Sequence, residues 1–132
     1  MAPSMGFAVP LRRRGARFMA LNKLSFQTFS SQLNSVFQVT LEDGTSVPLI
    51  LKEATKRNAK KSEGPQAKAY ERFSLVFIGP WDQVLEQRIH SFQHPRIGNF
   101  EIFIVPVISR DTSGAHYECI FNRPLVKHTA TA

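Results

Sequence analysis

The sequence predicts an all-β domain of about six antiparallel strands, a small barrel or a two-sheet sandwich, with one short N-terminal helix. Three observations support this fold class. Apolar residues recur at every second position after Ser35, turn-forming residues follow about every 8 to 15 residues, and only one segment has helical spacing. The chain has 132 residues, 42% of them hydrophobic, which suits one domain with an apolar core and excludes a two-domain enzyme.

The helix and the first two strands open the patterned region. Apolar spacing predicts a short helix within Asn22–Asn34, with Ser25 as its N-cap. Phe37–Leu41 and Val47–Leu51 then alternate apolar and polar residues around an Asp-Gly step, which predicts a β-hairpin. Because Pro48 has no N–H, we expect the second strand at a sheet edge or with the proline nitrogen pointing outward.

Residues 54–70 have no apolar periodicity and are rich in Lys, Ala, Ser, Gly and Pro, which predicts a long exposed loop. Loops of this length in compact domains are usually functional or disordered. The basic residues of the loop are therefore candidate contacts to a partner, against the alternative that the loop is only a solvated linker. They are Lys56, Arg57, Lys60, Lys61 and Lys68.

The second half of the chain predicts four further strands. The first of them has apolar residues on both faces, so we expect it in the middle of a sheet, ending at a Gly-Pro step. The strands are predicted over Phe73–Ile78, Arg88–Gln93, Asn99–Ser109 and Ala115–Asn122, the third being the longest. The segments between them are Gly79–Gln87, His94–Gly98 and Arg110–Gly114. The strand phenylalanines expected in the core are Phe73, Phe77, Phe92, Phe100, Phe103 and Phe121.

The positive charge of the chain is concentrated at its N-terminal end. Of a net charge of +7, residues 1–18 contribute Arg12, Arg13, Arg14 and Arg17 without any acidic residue. We interpret 1–18 as a disordered leader or a mis-assigned start, with a transit peptide or an arm for an anionic partner as alternatives. Residues 19–125 then form the domain and 126–132 a frayed tail. The sequence has neither a signal-peptide core nor an apolar run long enough to span a membrane, so we expect a protein that is cytoplasmic as synthesised.

The histidines do not have the spacing of a metal site. His90 and His94 are four residues apart in a segment with strand periodicity, which separates them by roughly 13 Å. That distance is too large for one coordination sphere. We therefore expect no metal and no cofactor.

The remaining reactive residues are equally uninformative about catalysis. The single cysteine, Cys119, excludes an intramolecular disulfide, and its offset of three from His116 places the two on opposite faces of a strand. We expect Cys119 to be a small buried hydrophobic residue. Glu101 and Glu118 are expected on neighbouring strands facing solvent, with nothing to raise a carboxyl pKa. The seven glycines form no phosphate-binding loop, which excludes nucleotide hydrolysis. Since the histidines, the cysteine and the carboxylates indicate no reactive site either, we expect no enzymatic activity.

Several motifs of the second half follow one another in a recognisable order. They are Phe73-Ser74-Leu75-Val76-Phe77-Ile78-Gly79-Pro80, Phe92 with His94-Pro95 and Gly98, Phe103-Ile104-Val105-Pro106, and Tyr117-Glu118 with Phe121-Asn122-Arg123. In this order and spacing the chain resembles a small bacterial domain family of unknown function, closely over about residues 70–123 and more loosely before them. The resemblance implies a compact, mostly β domain without an assigned activity. It also implies an assembly role, since relatives are associated with phage-tail-collar-like proteins.

Turn geometry explains the motif positions at least as well as ligand binding does. Gly-Pro ends strand pairing, His-Pro-x-x-Gly makes a tight turn, and the final Arg is expected to pair with Glu118 or a backbone carbonyl. The positions are Gly79, Pro80, His94, Pro95, Gly98, Pro106, Glu118, Asn122 and Arg123. Where the family tends to have Gly, Tyr and Glu, this sequence has Arg88, His90 and Gln93, which argues against a tight turn at Arg88 and makes that strand more polar.

These observations lead us to expect a non-enzymatic structural or protein-interaction module. It would dock onto another protein, or onto copies of itself, through an exposed sheet edge or the long basic loop. The alternative is a small β-barrel that binds nucleic acid through the basic leader and loop, although its basic residues are separate from the strand aromatics. A third hypothesis is a ligand-binding barrel with a cavity behind the phenylalanines.

Overall fold

The computed structural model describes residues 24–58, 61–64 and 70–124. The predicted leader at 1–18, the predicted tail at 126–132, Lys60, Lys68 and the side chain of Lys61 lie outside the described residues. Among the residues described, no helix is long and apolar enough to cross a membrane.

Six antiparallel strands form a closed barrel with one short helix at its N-terminal side, which confirms the predicted fold class and selects the barrel over the sandwich. The elements are α1 (Phe26–Ser30), β1 (Val36–Thr40), β2 (Ser46–Arg57), β3 (Tyr70–Gly79), β4 (Arg88–His94), β5 (Gly98–Val107) and β6 (Ala115–Pro124), with a 3-10 turn at Lys61–Glu63. Around the barrel the order is β1-β2-β3-β6-β5-β4, and β4 pairs with β1 to close it.

The helix is shorter than predicted, but its predicted cap is correct. The Oγ of Ser25 accepts a hydrogen bond from the backbone N–H of Thr28 at 3.1 Å, as an N-cap does. Turns follow α1 as far as Asn34, which has a φ of 69°. The N–H of Asn34 donates to the carbonyl of Leu51 at 2.7 Å, so the end of this segment is tied to β2.

The β1–β2 hairpin is confirmed, and of the two arrangements expected for Pro48 the sheet edge is wrong. β2 has β1 on one side and β3 on the other. Pro48 lies opposite Gln38 of β1, but the register with β3 begins only at Ile50, which faces Ile78. A strand with two neighbours therefore accommodates Pro48 because the proline lies beyond the β2–β3 ladder.

The long loop predicted at 54–70 is shorter than expected, because β2 continues to Arg57. At 12 residues β2 is the longest strand of the barrel, rather than the strand predicted at Asn99–Ser109, which has 10 residues as β5. Lys56 lies opposite Phe73 and Arg57 opposite Arg72, so these two predicted loop residues belong to a strand. Apolar periodicity does not predict this end of β2, because its side chains are polar and exposed at one end of the barrel. Backbone pairing with β3 keeps it in the sheet. A bulge between Leu51 and Glu53 shifts its register.

Phenylalanine rings fill the interior of the barrel. Phe29 of α1 is fully buried and lies within 6.3 Å, centroid to centroid, of rings on β1, β3, β5 and β6. Those four rings belong to Phe37, Phe73, Phe100 and Phe121. Through this one side chain the helix packs against four strands of the barrel.

Five of the six strand phenylalanines predicted for the core are buried, and Phe103 is not. Side chains alternate along β5, and Phe100, Ile102 and Ile104 point into the core. Phe103 therefore points to solvent and is 48% exposed.

The backbone ladders that close the barrel differ greatly in length. β3 and β6 share ten residue pairs, whereas β1–β4 and β5–β6 share three pairs each. The β4–β5 hairpin is therefore joined to the rest of the barrel by two short ladders.

Glycine is required where β3 ends next to β6. A Cβ at Gly79 would overlap the side chain of Leu49, and a Cβ at Gly114 would lie 2.6 Å from the carbonyl oxygen of Gly79. The Gly-Pro step therefore ends a strand, as predicted, and also allows close packing.

We expect Phe29→Ala to lower the free energy of unfolding by about 3–5 kcal/mol, because it leaves a cavity among four strands. Phe103→Ala makes the same chemical change at an outward position and should cost less than about 1 kcal/mol. Urea unfolding of both variants checks this, and equal losses would contradict the role given to α1.

Candidate interaction surface

The His-Pro-x-x-Gly motif forms the turn between β4 and β5, and the side chain of His94 organises it. The Nδ1 atom of His94 accepts hydrogen bonds from the N–H groups of Arg96 at 3.1 Å and Ile97 at 3.4 Å. Gly98 ends the turn with a φ of 100°, a conformation that favours glycine. The motif is thus explained by turn structure, with Pro95 exposed at its tip.

The tautomer of His94 follows from its partners. Because Nδ1 accepts from two backbone N–H groups, the proton must lie on Nε2, which donates to the Oγ of Ser35 at 2.8 Å. That hydroxyl donates in turn to the carbonyl of Gln32 at 2.6 Å. Burial lowers the pKa of His94, and the charge of Arg96 adds to this effect, so the buried ring is held neutral.

The final motif arginine pairs with a carboxylate other than Glu118, which was one of its two expected partners. Arg123 donates through Nε and Nη2 to Oε1 of Glu71, at 3.1 and 2.8 Å, rather than to Glu118. Glu71 and Arg123 lie directly opposite each other on β3 and β6, and both side chains are nearly buried. This pair closes the end of the barrel beside the stacked rings of Phe73 and Phe121, whose centroids are 4.5 Å apart.

The other motif positions on β5 and β6 have neighbours in the sheet. Pro106 is exposed and lies opposite Tyr117, Glu118 lies opposite Val105, and Asn122 is exposed opposite Arg72. Glu101 and Glu118 lie on neighbouring strands, as expected, but Glu101 lies opposite Ser91 of β4 and Glu118 opposite Val105, so the two are not directly opposite each other.

The described thiol, histidines and carboxylates form no metal-binding cluster, and the thiol is buried. Cys119 is buried, as expected, and burial together with the Glu118 charge raises the pKa of its thiol to about 12. No group of three or more His, Cys, Asp or Glu side chains among the described residues has the geometry to hold a metal ion.

The described part of the chain is not basic overall. It contains nine Lys and Arg residues and ten Asp and Glu residues, so the excess positive charge of the sequence belongs to residues outside the description. Lys56 and Arg57 are exposed on β2, and Arg72 of β3 forms an ion pair with Glu63 of the 3-10 turn.

A first surface depression, here called the polar groove, lies where the β1–β2 turn meets β4. It has a volume of about 660 Å³ and is lined by the carboxylates of Glu42, Asp43, Glu86 and Glu101. Arg88 lies between two of them, with Nη2 2.9 Å from Glu42 and Nη1 3.9 Å from Glu86. Of the three residues in β4 that depart from the family pattern, Arg88 and His90 line this groove and Gln93 does not.

A second depression, here called the apolar groove, crosses three strands on the outer face of the barrel. Val36 of β1 lies opposite Ile50 of β2, which lies opposite Ile78 of β3. These three side chains, with Pro48 and Pro80, line a volume of about 640 Å³ in which the only charged lining residue among those described is Lys52.

A loop at one end of the apolar groove carries the most exposed apolar side chain of the described residues. Ile108, directly after β5, is fully exposed, and Ser113 of the same loop lines the groove. Hydrogen bonds from Ser113 lower the pKa of Asp111, and the charges of His116 and Lys52 lower it further, so this carboxylate stays ionised beside the groove.

Sequence reasoning missed the apolar groove. The sequence does contain apolar residues at outward positions of three strands, which is the signal of such a groove. The sequence analysis identified apolar residues on both faces only in the strand that is β3. The pairing of Val36 with Ile50 and of Ile50 with Ile78 brings them together, which single-strand periodicity does not show.

The comparisons with known proteins agree with the resemblance. A family model described as Domain of unknown function (DUF6916) matches residues 24–121, from the start of the described chain through most of β6. No curated protein and no solved structure matches the chain.

We expect stability to fall as pH decreases below 6.5, the ordinary pKa of histidine, toward the lowered pKa of folded His94. In this range the unfolded chain binds a proton that the folded chain resists, at a cost of at most about 1.4 kcal/mol per pH unit. Urea unfolding at a series of pH values measures this pH dependence of the free energy of unfolding. His94→Asn keeps a hydrogen-bond acceptor for the turn but does not titrate, so its free energy of unfolding should change less with pH. The matched control His90→Asn should keep the pH dependence that His94 contributes. An unchanged slope in His94→Asn would refute this assignment.

Cys119 should react with iodoacetamide at pH 8 far more slowly in the folded protein than in urea, because its thiol is buried and protonated. Mass spectrometry of the alkylated chain gives both rates. Similar rates would show that the thiol is accessible in the native state.

Proposed function

We propose that this chain, which belongs to the family Domain of unknown function (DUF6916), is a non-enzymatic protein-interaction module. Its docking surface is the apolar groove, and its ligand is a segment of a partner protein with apolar side chains and a carboxylate. The observation that carries the proposal is the continuous outward row of Val36, Ile50 and Ile78 across three strands.

The outward row places apolar side chains of three neighbouring strands side by side on the surface. Val36 and Ile50 are 44% and 38% exposed, and the prolines beside them add further apolar surface. Contiguous exposed apolar patches on small domains usually mark binding sites, whereas single exposed residues do not. Because Val36 and Ile50 are already more than half buried, covering their remaining surface contributes less than half of the about 1.5–3 kcal/mol that complete burial of such a side chain gives.

The position of the groove on regular strands also favours binding. Its apolar side chains project from paired backbone, so little conformational freedom is lost when a ligand docks. Lys52 at its rim supplies one positive charge, which favours a partner segment that carries an acidic residue.

Two features support an interaction role over an enzymatic one. The only thiol, Cys119, is buried and has a pKa of about 12, which makes it a poor nucleophile at neutral pH. Both ring nitrogens of His94 are already engaged in hydrogen bonds, one to the backbone of the β4–β5 turn and one to Ser35. A structural component of a tail-like or surface assembly is one setting for such a module.

The nucleic-acid alternative has less support. Phe73 and Phe121 stack on each other inside the barrel, and the described residues have slightly more acidic than basic side chains. Binding to single strands usually uses exposed aromatics together with a positive groove. The exposed-edge mode is also less favoured, because every strand of the closed barrel has two neighbours.

The groove is tested with Ile50→Lys against Ile120→Lys, a matched change at an exposed isoleucine of β6 that does not line the groove. Proteins from the native host that bind immobilised wild-type chain are purified and titrated against all three proteins. We expect Ile50→Lys to weaken the dissociation constant of a true partner about tenfold or more, and Ile120→Lys to leave it unchanged. Equal affinities for wild type and Ile50→Lys would overturn the proposal.

A further inference from the structure

We infer that the barrel has a second docking surface, which binds a basic segment of a partner protein that also carries apolar side chains. This surface is the outer side of the β4–β5 hairpin together with the polar groove beside it, here called the β4–β5 face. The polar groove shares no lining residue with the apolar groove, and the inference does not depend on the proposed function.

The β4–β5 face has apolar side chains next to one another. Ile89 of β4 and Phe103 of β5 lie directly opposite each other and are 58% and 48% exposed. The Cβ atoms of two such residues are about 5 Å apart, so their side chains form one apolar surface. Val84, which is also exposed, lines the polar groove together with Ile89 and extends this surface. Contiguous exposed apolar side chains of this kind are typical of binding sites.

The polar groove gives the same face a negative charge. Side chains two residues apart on a strand point to the same side, so Glu101, which lines the groove, lies on the same side of β5 as Phe103. The described lining of the groove has four carboxylates and one guanidinium, that of Arg88, which gives a net charge of −3 while His90 is neutral. Apolar surface and negative charge are therefore adjacent, which fits a segment that is both apolar and basic.

The carboxylates of the groove are only partly neutralised by their own chain. Arg88 lies between Glu42 and Glu86, whose side chains are largely exposed, so one cation is shared by two anions. Asp43 accepts from a backbone N–H at 2.9 Å, and Glu101 accepts from a serine hydroxyl at 3.4 Å, and neither of these donors is charged. A Lys or Arg side chain of a partner would therefore meet uncompensated negative charge, whereas an acidic segment would be repelled.

A buried histidine adds a hydrogen-bond acceptor to the groove. His90 lines the groove and is 7% exposed. Its Nε2 atom carries a proton, because it lies 2.8 Å from the carbonyl oxygen of Glu86, which can only accept. In the neutral ring Nδ1 is then an acceptor, and no described residue donates to it. The ammonium or guanidinium group of a bound segment can supply that hydrogen bond.

The loop before β4 is held in place by hydrogen bonds. The N–H of Leu85 donates to the buried hydroxyl of Tyr117 at 2.8 Å, and the next residue, Glu86, accepts from His90. The loop side of the groove is thus formed before a partner binds, so docking orders few groups.

Two peptides of opposite charge test the inference by NMR. A Lys–Leu peptide and a Glu–Leu peptide of equal length are titrated into the isotope-labelled full chain, and the shifts of its amide signals locate the binding site of each peptide. We expect the Lys–Leu peptide to shift amides of β4 and β5 and the Glu–Leu peptide to leave them unchanged. A Lys–Leu peptide that binds elsewhere, or does not bind, would overturn the inference.

Two variants test the charge and the apolar surface separately. Glu101→Lys and Phe103→Ser should each weaken the dissociation constant of the Lys–Leu peptide about fivefold or more. The matched controls are Glu53→Lys, at an exposed carboxylate of β2 that does not line the polar groove, and Ile50→Ser, in the apolar groove. Both controls should change the dissociation constant by less than about twofold, since neither site lies on the β4–β5 face.

Equal weakening by Glu101→Lys and Glu53→Lys would show attraction by the overall charge of the chain and would contradict a specific surface. The amide spectra of the variants show whether each retains the fold. Spermidine carries positive charge without apolar side chains. If it bound this face as tightly as the Lys–Leu peptide, the face would be a site for small cations and the docking of a protein segment would be excluded.

The same titrations keep the two docking surfaces apart. Shifts at the apolar groove from the Glu–Leu peptide, with none on the β4–β5 face from the Lys–Leu peptide, remove this inference and leave the proposed function. The reverse pattern supports this inference and contradicts the ligand proposed for the apolar groove.

Discussion

Aromatic packing inside the barrel holds together strands that the backbone joins unevenly. The β4–β5 hairpin has only three residue pairs with β1 and three with β6. Contacts of its phenylalanine rings supply the rest of the attachment of this hairpin to the barrel. Phe92 lies 5.3 Å from Phe77 of β3, and Phe100 lies 5.6 Å from Phe29 of α1, centroid to centroid. Closure of the barrel is therefore a property of its core as much as of its hydrogen bonds.

This packing also determines where a function can reside. The interior is occupied by side chains, and the polar and apolar grooves are lined largely by residues on the outer side of the strands. A ligand cavity behind the phenylalanines has no support in this arrangement. The potentially reactive His94 and Cys119 are buried in structural positions, and the proposed docking surface lies on the outer face of the barrel.

Local patterns predicted most of the fold, and long-range pairing accounts for what they missed. Strand periodicity identified all six strands, because each has one face in the core. It failed at Lys56 and Arg57, whose strand is maintained by backbone pairing with β3, and at Phe103, whose outward position depends on the phase of β5. The Glu71 partner of Arg123 lies 52 residues away, so only the β3–β6 register reveals it. The apolar groove was missed because it combines residues from three strands.

Native-state hydrogen exchange of the full chain tests most directly whether the aromatic core holds the barrel closed. If it does, the slowest amides of β4 and β5 open with the same free energy as those of β3 and β6, because Phe92 and Phe100 leave the core only when the whole barrel unfolds. A lower opening free energy for β4 and β5 would contradict the account, since it would show that their short ladders alone set the strength of closure.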